Sequence, residues 1–431
     1  PKTAAILLLA TASFGVFAAA DLYTLCLMWG LSDLALLWLR AGEAPEGHGR
    51  RTAWNTWGGL ASTVLLVAAA LLVPESEGHS VWQAATTAEA PAAFLMLAVI
   101  MRIGVPPLSG HLLQHWETFL GSLWMGASVW LRLVADPVIL PAGGYLAPVG
   151  AGMMLAAGLL TVLAPSTATA LPYAALQSLT IAVLAPLIAP QEGAAVALLA
   201  ALNVTLIVAL LAINDRIDPF PPLGRWTRIP EGIALASWMG MPLALGFLVH
   251  WAFLRICWLA SLQSLVFCGS ISFLLAAAPA WRRLLALFGS DETPLAEAHW
   301  SRWAGAGSAI ALALALLVTG VAPGALSWVG VGAAGALGVE RLLGSETDLV
   351  GSLVYLAFLG PLIGGLSLQH LLRDLPEAAT RWLERARGVL LLDWLVLLLE
   401  EVLTRWQLQV DRILSAIEGG FYLGWSLIWS L

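Results

Sequence analysis

Apolar residues fill this chain in long runs, and polar residues gather in short stretches between them. The runs fall at about 4–20, 22–39, 57–73, 91–116, 118–135, 145–164, 169–189, 193–213, 230–253, 257–279, 303–322 and 349–371. A helix needs about 20 apolar residues to cross the hydrocarbon core of a bilayer. Lipid offers the backbone no partners, so each crossing must satisfy its own hydrogen bonds. No stretch alternates polar and apolar residues as a transmembrane barrel does. The pattern predicts an all-α polytopic membrane helix bundle of about twelve transmembrane helices.

Two runs carry helix breakers. Pro106–Pro107 follow Arg102 by one turn, and Gly240-Met241-Pro242 interrupt the ninth run. Proline removes a backbone donor and clashes with the preceding turn. Both segments are therefore expected to be discontinuous, a form tolerated where the break lines a cavity or meets protein. Their separation suggests an internal duplication. Past the last run the pattern changes. Asp393, Glu400, Glu401, Arg405, Asp411, Arg412 and Glu418 interrupt Leu, Val and Trp runs, the habit of an amphipathic helix lying along a surface or partners. The expected domains are a bundle over 1–375 and a C-terminal amphipathic helix and anchor over 376–431. The first run, behind Lys2, resembles a signal peptide. The second follows almost at once and favours a helical hairpin. Pro1 at the start leaves room for an N-terminal piece removed or left out.

Charge gives the orientation. Cytoplasmic loops are enriched in Arg and Lys. With the N-terminus in the cytoplasm, the inside loops hold Arg40, Arg50, Arg51, Arg216, Arg225, Arg228, Arg282, Arg283, Arg302, Arg373, Arg381, Arg385 and Arg387; the outside loops and margins hold Arg132, Arg255 and Arg341. Composition agrees: 60% of the residues are hydrophobic, 11% are charged, and the formal net charge is −7. Mean hydropathy is +0.86. Soluble domains carry about 25% charged residues. The negative balance argues against a nucleic-acid partner. The three cysteines, Cys26, Cys257 and Cys268, lie in apolar runs without metal-ligand spacing, and the 21 Trp residues suit interface belts and subunit contacts. No triad, phosphate loop, zinc motif or redox-cofactor motif stands out, so no cofactor and no metal is expected.

A charge at mid-bilayer costs on the order of 2.5–3.5 kcal/mol by insertion scales. The candidates are Asp33, Arg102, Glu117 and His250, with His111 and His115 near the first break. Each has a plain alternative. Asp33 and Arg102 pair to stabilise the bundle; His250 is a packing residue; His111, His115 and Glu117 sit in a wetted loop. The i,i+4 spacing of His111 and His115 suits a metal, but no further ligand is near.

On these residues the chain resembles the antiporter-like membrane subunits of complex I (proton-translocating NADH:quinone oxidoreductase) and of Mrp-type sodium/proton antiporters. The match is carried by Arg228-Ile-Pro-Glu, by Gly240-Met-Pro-Leu-Ala-Leu-Gly-Phe247 with His250 after it, by Arg102 with Pro107-Leu-Ser-Gly-His-Leu112, and by Asp21-Leu with Trp29-Gly-Leu-Ser. Pro172-Tyr173 resembles the start of a later helix. The resemblance covers most of 4–371 and implies that about three N-terminal helices of the usual fourteen are absent. The amphipathic C-terminus resembles the lateral helix of long members.

Family members move protons along a midplane chain of Glu, Lys and His, and here that chain is depleted. Gly30 stands where the principal Glu falls, with Asp33 one turn on. Arg102 stands for one Lys and Ile207 for another, Asn203 falls near a membrane His, and His250 holds the last ionisable place. Lys2 is the sole lysine. Arginine is effectively always protonated, whereas histidine titrates near neutrality. The resemblance implies a membrane subunit of a multi-subunit ion-translocating complex with a degenerate proton path, in an energy-coupling membrane, the bacterial inner membrane being the expected one. Partners are other membrane subunits and the bilayer. If the path conducts, Asp33 binds the proton, Arg102 tunes it, His250 passes it on, and His111, His115 and Glu117 lie near the mouth. A purely structural membrane subunit is the alternative, and a self-sufficient secondary transporter is a third, weaker reading.

Overall fold

The computed structural model describes residues 2–41, 49–73, 89–103, 116–134, 146–164, 166–214, 228–289, 300–322 and 349–373, with 381 and 385. Among the described residues every long element is helical. The thirteen helices are α1 Lys2–Ala18, α2 Leu22–Ala41, α3 Gly49–Leu72, α4 Glu89–Ile103, α5 Trp116–Val134, α6 Leu146–Val162, α7 Thr167–Ile188, α8 Pro190–Asn214, α9 Ile229–Met239, α10 Leu245–Leu259, α11 Gln263–Gly289, α12 Trp300–Val321 and α13 Leu349–Arg373. Each expected span overlaps a helix. Among the described residues, five stretches are long and apolar enough to cross a membrane: Leu22–Leu39, Ala170–Ile188, Glu192–Asn214, Gln263–Leu287 and Trp303–Val321. The chain divides into two compact units, Pro1–Leu375 and Pro376–Leu431.

Local chemistry sets the helix ends. Asp21 caps α2: its carboxylate accepts the Thr24 backbone N–H and the Thr24 hydroxyl, each at 2.7 Å. The Thr24 N–H, and after it the Thr24 hydroxyl, holds the Asp21 carboxyl below its ordinary value. At the other side of that turn, the Arg132 guanidinium of α5 donates to the Phe17 and Ala19 carbonyls at the end of α1. These are carbonyls that a helix end leaves without intrahelical partners. Arg132 is thus placed by protein contacts although its loop side is poor in cations.

The first five helices close on one another in sequence, α1 to α2, α2 to α3, α3 to α4, α4 to α5, and α5 back to α1. Helix α5 then leans on α7 and α8, where Trp124 Nε1 donates to Thr205 Oγ1 at 2.9 Å and Trp130 Nε1 to the Ala182 carbonyl at 3.2 Å. In the second group α10 is the centre. It packs against α7, α8, α9, α11, α12 and α13, and eleven of its fifteen residues are buried. Apolar burial between membrane helices gains little over lipid, so close packing and interhelical hydrogen bonds must hold such a group. Gly158 of α6 illustrates this. A Cβ there would lie 2.7 Å from Ser272 Oγ of α11, and Ser272 Oγ donates to the Met154 carbonyl at 2.5 Å.

The stretch expected at 230–253 is two helices. Helix α9 starts at Ile229 with Pro230 in its first turn and ends at Gly240, which is left-handed at φ 71. Gly240 N and Met241 N return to the Ser237 and Ala236 carbonyls, the glycine-terminated helix end. Leu243, at φ 75, adopts a conformation that non-glycine residues seldom hold. Helix α10 then runs to Leu259, farther than expected, so Arg255 belongs to a helix and not a margin. Arg255 lies over the Trp251 ring at 5.7 Å. Likewise α11 spans Gln263–Gly289 rather than 257–279. Arg282 and Arg283 extend it because protein partners meet them: Gln369 for Arg282 and Glu231 for Arg283.

Candidate functional site

Asp33 and Arg102 meet. Arg102 Nη1 pairs with Asp33 Oδ1, and their side chains are 1% and 5% exposed. The pair is built where α2, α3 and α4 converge. Arg102 Nη2 donates to Ser32 Oγ, and Thr63 Oγ1 of α3 donates to Asp33 Oδ2. Ser32 Oγ in turn donates to the Trp29 carbonyl at 2.7 Å. The guanidinium carbon stands 5.2 Å from the Trp29 ring centre, within cation–π range. Trp29 Nε1 donates to Ser62 Oγ at 3.0 Å, and Ser62 donates to the Ala98 carbonyl at 3.0 Å. Gly59 leaves the space: a Cβ there would lie 2.9 Å from Asp33 Oδ1 and 3.4 Å from Arg102 Nη1.

This arrangement matches charge with charge. Both carboxylate oxygens of Asp33 have donors, and Arg102 cannot give up its proton. Removing either side chain alone would leave the other as a buried uncompensated charge, the costly outcome of splitting a buried pair.

His250 lies elsewhere. It sits on α10, 3% exposed, with its ring stacked on Phe273 of α11 at 3.9 Å between centroids and 16° between planes. Helices α2, α3 and α4 pack chiefly with one another and with α1 and α5, whereas α10 packs within the second group. The structure therefore assembles two of the six candidates into one network and holds His250 in another. Glu117 falls on α5, but its side chain, together with His111 and His115, lies outside the described residues, as does Pro106–Pro107.

Sequence reasoning missed several partners. Ser32 stood in the Trp29-Gly-Leu-Ser motif without a role of its own, and Thr63, Ser62 and Gly59 carried no signal in one sequence. Glu231 is buried and accepts from Arg283 Nε at 2.6 Å, tying α9 to α11; the sequence marked it only as part of the Arg228-Ile-Pro-Glu motif, without its partner. Asn203 accepts from Ser237 Oγ at 2.7 Å, and Ser237 Oγ accepts from Gly246 N at 2.9 Å. One serine thereby joins α8, the end of α9 and the start of α10. Gly246 fits because a Cβ there would strike the Ser237 carbonyl.

No family model matches the sequence, and no curated protein does. Solved structures do match in three dimensions. A chain of the Mrp complex from Dietzia sp. superimposes with a TM-score of 0.68 at 16% identity, over 97% of this chain and 48% of that one. The chain shares its fold with that Mrp chain. A chain of the membrane-bound sulfane sulfur reductase, an archaeal respiratory membrane complex, gives 0.58 at 18% identity, over 74% of this chain and 59% of that one. A chain of respiratory complex I from Thermus thermophilus gives 0.55 at 17% identity, over 74% and 77%. The chain spans about half the length of the Mrp chain and under two thirds of the reductase chain. The resemblance to complex I and Mrp antiporter-like subunits therefore holds at the level of fold.

Proposed function

We propose that this chain is a membrane subunit of a multi-subunit ion-translocating complex and that its own proton path is degenerate. The observation that carries the reading is the buried Asp33–Arg102 pair inside a fold shared with chains of Mrp and respiratory complexes. Charges at membrane depth persist where partners or a task hold them, and here the charge matching is internal. The buried Asp, Glu, Arg and His side chains among the described residues are Asp33, Arg102, Glu231 and His250, and they fall into separate networks. Asn203 and Ile207 are neutral at two positions where the resemblance implies ionisable groups. On this reading twelve segments span the membrane from a cytoplasmic N-terminus, α9 and α10 are halves of one discontinuous crossing, and 376–431 is an amphipathic helix that grips neighbouring subunits. The setting is an energy-coupling membrane such as the bacterial inner membrane.

The second reading, a structural subunit without conduction, draws on the same pair, because the Asp33 oxygens are taken up by Arg102 and Thr63. Coupling measured in sealed vesicles that contain the whole complex separates the two. A residual path loses ion-coupled activity in Asp33→Asn and His250→Gln while the complex stays assembled. Unchanged coupling in both variants, with assembly intact, leaves the structural reading and overturns the path.

A further inference from the structure

The second helix group contains a polar cleft that the ion-pair networks do not use. It lies between α7, α8 and α9, has room for a water-sized molecule, and is lined by Gln177, Ser178, Asn203 and Trp238 beside Ile207. No lining side chain is ionisable, and the remaining wall is aliphatic. Trp238 is 5% exposed. Its Nε1 is buried and has no acceptor among the described residues. An indole N–H is a donor only, and a buried donor is ordinarily met by protein or by ordered water.

The neighbouring amides complement that donor. Gln177 Nε2 donates to Ser272 Oγ at 2.7 Å, so the Gln177 amide oxygen is the branch that bond does not use. Asn203 Oδ1 accepts from Ser237 Oγ, so the Asn203 amide nitrogen is the branch left over there. A polar, roomy, buried position with two to four hydrogen-bonding partners is what a structural water requires. An ion would lose its hydration here without meeting an opposite charge.

We propose that this cleft binds water, which accepts from Trp238 Nε1 and Asn203 Nδ2 and donates to Gln177 Oε1. The bound water joins two existing strings of hydrogen bonds. One runs from the Met154 carbonyl through Ser272 to Gln177, and the other from Asn203 through Ser237 to Gly246 N. The result is one neutral hydrogen-bonded chain through α6, α11, α7, α8, α9 and α10. It fixes helices in register across the second group and carries no charge. The inference stands whether or not the subunit conducts, because its test needs neither ions nor partner subunits.

The test is hydrogen–deuterium exchange of indole N–H groups. The full chain carries 15N-labelled tryptophan in lipid nanodiscs and is moved into D2O. The Trp238 signal is assigned by its loss in Trp238→Phe. Trp29 and Trp130, which donate to Ser62 and to the Ala182 carbonyl, serve as internal references. A water-filled cleft makes Trp238 exchange on the order of tenfold faster than both references. Ala174→Leu, or the smaller Ala175→Val, fills the cleft and slows Trp238 to the reference rate. Exchange of Trp238 as slow as Trp29 and Trp130 overturns the proposal, and so does fast exchange that survives filling of the cleft.

Discussion

At the residue scale the Asp33–Arg102 pair governs the first helix group. Each partner has its charge on the other, and Ser32, Thr63 and Trp29 complete the shell. Removing one member of such a pair is worse than removing both, since the survivor becomes a buried uncompensated charge. Arg102→Met is expected to lower unfolding stability by about 3–5 kcal/mol, read as the midpoint of denaturant unfolding in detergent micelles. The double substitution Asp33→Leu with Arg102→Met is expected to lose less than either single change. Additive losses would show that the two side chains do not act as a unit. Arg102 and Asp33 stand out in the sequence because charges in apolar runs are rare. Their helpers do not, for a physical reason. Hydroxyls are common in these helices, and most close on their own helix. Thr11, Thr161, Thr180 and Ser308 each donate to the carbonyl four residues back. Nothing in one sequence separates Thr63, which also reaches Asp33 across to α2, from those.

At the scale of the element, short-range chemistry decides where helices begin and end. Asp21 starts α2 by accepting from Thr24, and those bonds lower its carboxyl pKa from 3.8. A group whose folded pKa is depressed adds stability above its unfolded pKa and loses it as pH falls through the folded one. The stability of the native chain should therefore decline as pH drops below about 3.8. The Asp21→Asn variant, which keeps a capping side chain without the titrating charge, should show a shallower decline. The comparison is the unfolding midpoint against pH for the two proteins, and parallel curves would remove Asp21 from the account. The helix end at Gly240 follows the same local logic. The extent of α10 does not. Its run to Leu259 depends on burial at the centre of its group, and the place of Arg255 depends on the Trp251 ring.

For the whole molecule, the described helices form a ring of five followed by a group of eight around α10. The unit over Pro376–Leu431 is separate by its contacts. If that segment grips neighbouring subunits, a chain ending at Leu375 should still insert into membranes. It should no longer co-purify with other subunits from detergent-solubilised membranes. Co-purification undiminished by the deletion would move the docking role to the helix bundle. The charge pattern also becomes clearer at this scale. Arg132 and Arg255 stand apart from the arginine-rich loops of the sequence, and each is held by protein: Arg132 by the carbonyls at the end of α1 and Arg255 by Trp251.

The sequence alone determined that the chain is all-helical and suited to a membrane, because hydropathy is a property of each residue and adds along a run. It also determined which side chains would be costly in lipid, Asp33, Arg102 and His250 among them, because that cost belongs to the residue type. Only the tertiary structure decided what meets those side chains. Asp33 finds Arg102 and Thr63, Glu231 finds Arg283, and His250 is set apart against Phe273. Those choices depend on how each helix is rotated about its axis and where it crosses its neighbours. Helices as apolar all round as α6, α7 and α8 carry no one-sided pattern to declare that rotation.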